Sequence, residues 1–363
     1  MTVSSRVAPG IAGLKPYQPG KPLSELEREY HIQDAVKLAS NENPLGPGLL
    51  VQDAMKSAIS QQARYPDGNS FELKQALAQR HAVEMNQITL GNGSNDVLEL
   101  VARVFLFPGT EAIFSEHAFA VYPIATQAVG ADAVVTPAKD YGYDLDAILA
   151  AITDKTAVIF IANPNNPTGT WLNESSLKAF MDKVPERIMV VVDEAYFEYV
   201  QKEDYPDTTQ WLSEYNNLIV TRTFSKAYGL AGLRIGYSVS HTDIADLLNR
   251  VRQPFNVNAM AQVAALTALQ DNAHIQQSLQ MNINGMQQLT RAFSDMGFGW
   301  IPSVGNFVCL DVNTDGTEVY ERLLHEGIIV RPVANYALPR HLRITIGNHF
   351  ENDRLIASLN RVL

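Results

Sequence analysis

A single cysteine, Cys309, in a chain of 363 residues rules out an internal disulfide, so a reducing compartment, the cytoplasm, is the expected setting. Cys309 lies in the apolar run "NFVCL" and reads as a small buried hydrophobe, not a reactive thiol. No apolar run reaches about 18 residues, so no membrane-spanning helix is expected. The first 20 residues lack the apolar core of a signal peptide. Basic residues are few: 28 Lys and Arg stand against 39 Asp and Glu, a net charge of −11. With no basic block, nucleic acid and anionic membrane are poor partners. None of the eight histidines stands in a ligand spacing such as HExxH, so no metal is expected.

What is present is an ordinary globular composition, 46% apolar and 18% charged, in a chain long enough for a large core. Residues 1–50 are rich in turn chemistry, as in "PYQPGKP" and "NENPLGPG", and read as an arm that returns onto a smaller lobe. From 51 to 245, short apolar runs alternate with helical segments. "ITL", "AIF", "AVVT", "AVIFIA", "IMVVV", "LIV" and "RIGYSVS" read as seven strands of one mostly parallel α/β sheet between helices. Residues 246–363 lose that alternation and read as a smaller α+β domain.

The polar residues collect where these strands end. In an open parallel sheet, ligands bind beyond the carboxyl ends of the strands. "ITL" runs into "GNGSND", "AVIFIA" into "NPNNPTG", "IMVVV" into "DEAYFEY" and "LIV" into "TRTFSK". The glycines of "GNGSND" can bare successive N–H groups at a helix start, which favours an anion such as phosphate; a plain turn and cap would use the same letters. Asp193, after five apolar residues, is costly unless paired. A cationic ring nitrogen would pair it. Asn166 offers a donor and an acceptor to a ring substituent. A desolvated Lys226 is nucleophilic towards carbonyls. Arg234 matches a phosphate with its planar fork, and Thr223 and Ser225 add hydroxyls. A phosphate cradle, a ring-nitrogen partner, a hydroxyl partner and a Schiff-base lysine together describe a site for pyridoxal phosphate (PLP).

"SNENPLGP", "YPDG", "GNGSND", "NPNNPTG", "DEAYFEY" and "SKAYGLAGLRIGY" resemble the fold-type I PLP aminotransferases, from about Tyr17 to Arg343. The resemblance implies that Lys226 carries PLP, that Asp193 pairs with its ring nitrogen, and that Asn166 and Tyr196 meet its 3-oxygen. Ser94, Asn95, Thr223, Ser225 and Arg234 would bind its phosphate. Phe119 of "EHAFAVY" would stack on the ring, with Tyr122 as the alternative. Tyr65 of "YPDG" would reach the partner subunit's cofactor, which implies a homodimer. Family members carry a cis bond in the NPTG turn, so Asn166–Pro167 is expected to be cis.

The N-terminal motifs "PYQPGKP" and "LASNENPLGP" point to the branch that transaminates histidinol phosphate with 2-oxoglutarate. Arg343, Arg331 and Tyr17 would then read the substrate's anionic group, with Asn43 and Asn306 at the pocket wall. Three other readings share these letters: an aromatic amino-acid aminotransferase, a PLP-dependent phosphothreonine decarboxylase and a PLP-binding regulatory domain. The last would want a helix-turn-helix pattern that 1–50 does not contain.

Overall fold

The computed structural model describes residues 6–8, 10–17 and 20–363. Gln18 and Pro19 of "PYQPGKP", and the first part of the expected arm, lie outside them. No helix among the described residues is long and apolar enough to cross a membrane.

All seven expected strands form one sheet. In chain order they are β1 (Ile88–Gly91), β2 (Glu111–Ser115), β3 (Asp132–Thr136), β4 (Thr156–Ala162), β5 (Met189–Asp193), β6 (Leu218–Thr223) and β7 (Gly236–Ser240). Across the sheet the order is β1-β7-β6-β5-β4-β2-β3, and only β7 runs against the others. The continuous apolar runs of β4, β5 and β6 follow from their central place, buried on both faces. "AVVT" reads much the same but forms the edge strand β3, where Val135 is exposed. The carboxyl ends of β1, β4, β5 and β6 share one rim, and their polar clusters meet there.

A second, antiparallel sheet comprises β8 (Trp300–Ile301), β9 (Phe307–Asp311), β10 (Arg331–Val333) and β11 (Leu338–Thr345), in the order β8-β9-β11-β10. Its core takes in Val36 and Leu38, and Val36–Lys37 pairs in parallel with Ile328–Ile329. Residues 36–38 thus pack with the smaller body.

The expected division at 245 does not match the division of the core. Leu248, Val257, Ala261, Ala264 and Ala268 pack in the large-sheet core, although the strand–helix alternation has already ended. Leu289 and Phe293, late in the helix Asn272–Asp295, belong to the small-sheet core. We propose that the boundary falls within this helix. What changes at 245 is the pattern of elements, not the body they pack against.

Candidate active site

Between the rim of the large sheet and the small sheet lies an open cavity. Its lining includes Ser94, Asn95, Phe119, Asn166, Asp193, Tyr196, Thr223, Ser225, Lys226 and Arg234 from the large-lobe clusters, and Tyr17, Arg331 and Arg343. Sequence-distant residues expected to act together are therefore neighbours.

One end of the cavity is built for an anion. The helix Ser94–Phe105 starts there, with Gly93 before it at φ +83°. A Cβ on Gly93 would stand 2.3 Å from Arg234 Nη2, so glycine is needed to let the guanidinium lie against the helix start. Arg234 Nη1 donates to Ser225 Oγ at 3.3 Å, and Ser225 N–H donates to Thr223 Oγ1 at 3.1 Å. Helix dipole, guanidinium and hydroxyls converge as a phosphate would require.

The floor carries Asp193, the last residue of β5 and nearly fully buried. Thr221 Oγ1 donates to Oδ1 at 2.9 Å and Tyr122 OH to Oδ2 at 3.1 Å. Burial pushes the Asp193 carboxyl up; the two hydroxyl donors, the Ala195 N–H and the Lys226 charge oppose it. A ring cation above it would complete the site. Lys226 Nζ lies 3.1 Å from the Ser40 carbonyl and 5.6 Å from the Tyr196 ring centroid. Burial, and then the Arg343 charge, push its amine down to about 7. Tyr196 is buried, accepts from Asn41 Nδ2 at 2.9 Å, and burial raises its phenol to about 12. These are the donor types a pyridine aldehyde phosphate needs, and they fit PLP.

The far wall comes from the small sheet. Arg331 on β10 and Arg343 on β11 are directly opposite each other across an antiparallel pair. The pair brings two positive charges to this wall. Arg343 Nη1 donates to Asn166 Oδ1 at 2.6 Å and Nη2 to the Ala39 carbonyl at 2.5 Å. Its Nε is buried and has no hydrogen-bond partner. The Arg331 guanidinium carbon is 5.8 Å from the Tyr17 ring centroid.

Three expected residues are elsewhere. Asn43 does not line the cavity: its Nδ2 donates to the Ala227 carbonyl at 2.9 Å and to Ser278 Oγ at 2.8 Å, fixing the backbone beside Lys226. Asn306 is likewise behind the wall, donating to the Asn41 carbonyl at 3.0 Å. The asparagine that faces the cavity is Asn41, at φ +55°. Nothing in "SNENP" tells the two asparagines apart, because a left-handed turn there overrides any simple alternation. Tyr65 is 83% exposed and stacks on Phe255, with ring centroids 4.8 Å apart. It is absent from its own chain's cavity lining.

Phe119 lines the cavity, whereas Tyr122 is wholly buried beneath it. Asn166–Pro167 is cis, as expected, and so is Asn163–Pro164. Cys309 is buried; its Sγ donates to the Pro167 carbonyl at 2.9 Å, and burial pushes the thiol up to about 12.

Residues 33–359 match the model of the family described as aminotransferase class I and II. The chain belongs to the class I and II aminotransferases. Among its relatives in this family is the histidinol-phosphate aminotransferase 2 of Pseudomonas fluorescens, 58% identical over 98% of this chain and 96% of that one. Another is the histidinol-phosphate aminotransferase 2 of Methylococcus capsulatus, 53% identical over the full length of both chains. The crystal structure of histidinol-phosphate aminotransferase from Sinorhizobium meliloti, in complex with pyridoxal-5'-phosphate, superposes with a TM-score of 0.91. It is 32% identical and covers 99% of this chain and 97% of that one.

Proposed function

We propose that this aminotransferase moves the amino group of L-histidinol phosphate to 2-oxoglutarate, using PLP, and so serves histidine biosynthesis. The relatives above support the substrate. The pair Arg331 and Arg343 carries the reading in the structure, because both guanidinium side chains line the cavity from the small sheet and suit an anionic substrate group there. The phosphate of histidinol phosphate and the distal carboxylate of 2-oxoglutarate are both such anions, so one site can read both substrates in turn.

Bound PLP supplies an electron sink for the carbon that loses its proton. The chain supplies the rest. Asp193 would hold a positive charge at the ring nitrogen. Asn166 and Tyr196 would orient the 3-oxygen. Ser94, Asn95, Thr223, Ser225 and Arg234 would hold the phosphate, and Phe119 would cover the ring. Lys226 Nζ, whose amine is pushed down to about 7 and so is a free base above that pH, would take the proton from the substrate carbon and return it on the other side of the exchange.

The assay that tests this offers 2-oxoglutarate with histidinol phosphate, phenylalanine or O-phosphothreonine. Glutamate should form fastest from histidinol phosphate. Preference for phenylalanine would make the enzyme an aromatic aminotransferase, and CO2 from phosphothreonine would make it a decarboxylase.

We further propose a homodimer with shared sites. Tyr65 is exposed and does not line its own cavity, and Leu49, Ile59 and Phe71 add exposed apolar area on the elements near it. If Tyr65 donates to the partner's cofactor phosphate, Tyr65→Phe weakens PLP binding by roughly ten- to a hundredfold, the worth of one hydrogen bond to a charged group. Tyr65→Ala and Lys226→Ala should each be inactive alone. In a mixed dimer one site collects both lesions and the other neither, so co-refolding restores part of the activity. Mixed dimers that form and stay inactive would place Tyr65 within its own subunit's chemistry, or outside it altogether.

A further inference from the structure

Tyr122 has a ring that serves the core and a hydroxyl that serves the site. The ring lies on the helix Val121–Ala128, parallel to Phe160 with centroids 4.8 Å apart and edge-on to Phe119 at 5.8 Å. It is wholly buried and takes no part in the cavity lining. A phenylalanine would fill the same volume. The hydroxyl is what distinguishes this residue, and it donates to Asp193 Oδ2.

We propose that Tyr122 is a positioning residue: with Thr221 it fixes the plane of the Asp193 carboxylate and keeps it charged against the ring nitrogen of a pyridine cofactor. The inference rests on the PLP reading of the site. Its geometry is independent of the substrate. Tyr122 holds Oδ2 from the helix side at 3.1 Å, and Thr221, directly beside Asp193 in the β5–β6 register, holds Oδ1 at 2.9 Å. With a donor on each oxygen, the carboxylate cannot rotate without breaking one of two buried hydrogen bonds. Both donors also favour the ionised acid, which burial alone disfavours. A protonated Asp193 would meet the ring as a neutral acid and would no longer favour a cationic nitrogen.

The test is Tyr122→Phe in the PLP-loaded protein, read first by the ¹⁵N NMR signal of cofactor labelled at the ring nitrogen. In wild type the signal should be that of a pyridinium. In Tyr122→Phe, at the same neutral pH, it should move towards neutral pyridine. kcat should fall roughly ten- to a hundredfold, the range for one hydrogen bond to a charged group, with KM for the amino donor little changed. In an Asp193→Asn background, Tyr122→Phe should cost nothing further, because the group it acts through is gone. Thr221→Val removes the other donor without touching the aromatic core, and its ring signal should move the same way.

An unchanged ring signal in both Tyr122→Phe and Thr221→Val overturns the positioning role. So does an equal loss of kcat with or without the Asp193 carboxylate, which would mark a packing effect. Wild-type protein that takes up no PLP overturns the reading of the site as well. Protein that binds PLP but prefers another amino donor overturns only the proposed substrate.

Discussion

Lys226→Ala is expected to lower turnover by roughly 10⁴-fold or more, since it removes the nucleophile and a general base worth about 10²–10⁴ by itself. The protein should still take up PLP through the anion site at the start of the helix Ser94–Phe105, but borohydride should no longer fix it to the chain. In wild type, borohydride should place the label on Lys226; a label on another lysine would remove the basis of the assignment. The same residue has a signature without any cofactor. Its amine is pushed down to about 7, so above that pH it is a free base while ordinary lysines remain charged. Acylation of Lys226 in the cofactor-free protein should be half-maximal near pH 7. The sign for stability follows. Between pH 7 and 10.5 the unfolded chain holds a proton on this lysine that the folded chain has released, so its contribution to stability rises with pH. The isosteric variant Lys226→Met lacks that penalty. It should be more stable than wild type in the cofactor-free form, by a margin that grows as pH falls from 10.5 towards 7. A constant margin across that range would show that the amine is not desolvated.

The strand ends were readable because burial and alternation leave a strong imprint on a parallel sheet. Four apolar runs each met a polar cluster, and those clusters met in space. Asp193, Lys226 and Asn166 could therefore be picked out as candidates by strand-end position together with side-chain chemistry, and Arg234 by its chemistry near Lys226. Contacts that depend on register between strands could not. Thr221 sits beside Asp193 because β5 and β6 align at those two residues, and no spacing along the chain states that alignment. Asn41 and Asn43 carry the same side chain two residues apart, and a left-handed backbone decides between them. Tyr122 and Phe119 are both aromatic. Only the path of the helix Val121–Ala128 shows that one covers the cavity and the other supports its floor. The helix Ala259–Ala268 is hard to place for a related reason: it is rich in alanine and weakly patterned, so its sequence does not say which body it packs on.

Arg222→Ala should destabilise the fold by about 3–5 kcal/mol, the cost of leaving one partner of a buried ion pair alone. Side chains alternate along β6, so Thr221 and Thr223 face the cavity side while Arg222 points to the back of the sheet. There Glu194, the residue after Asp193, meets it. Arg222 Nε and Nη2 donate to Glu194 Oε2 at 2.9 and 2.7 Å, and Nη2 also donates to Asp207 Oδ1 at 2.6 Å. Thr208 supplies Oε1 with its hydroxyl at 2.5 Å and its N–H at 3.2 Å. The guanidinium carbon lies 3.5 Å from the Phe197 ring centroid. Burial pushes the Glu194 carboxyl up, and the Arg222 charge is the largest influence holding it down. Without that charge Glu194 should take a proton on folding, which fixes the sign of the pH dependence. A group whose folded pKa is raised stabilises below its unfolded pKa and loses that contribution as pH rises through the folded value. The deficit of Arg222→Ala against wild type should therefore shrink as pH falls from neutral towards about 4.5, near the ordinary glutamate pKa. Replacing both partners by Met should recover much of the loss, because an apolar pair of similar volume leaves no charge uncompensated. Urea melts of the three proteins at two pH values decide it: a pH-independent deficit, or a double variant no better than Arg222→Ala, would show that the pair contributes by packing and not by charge.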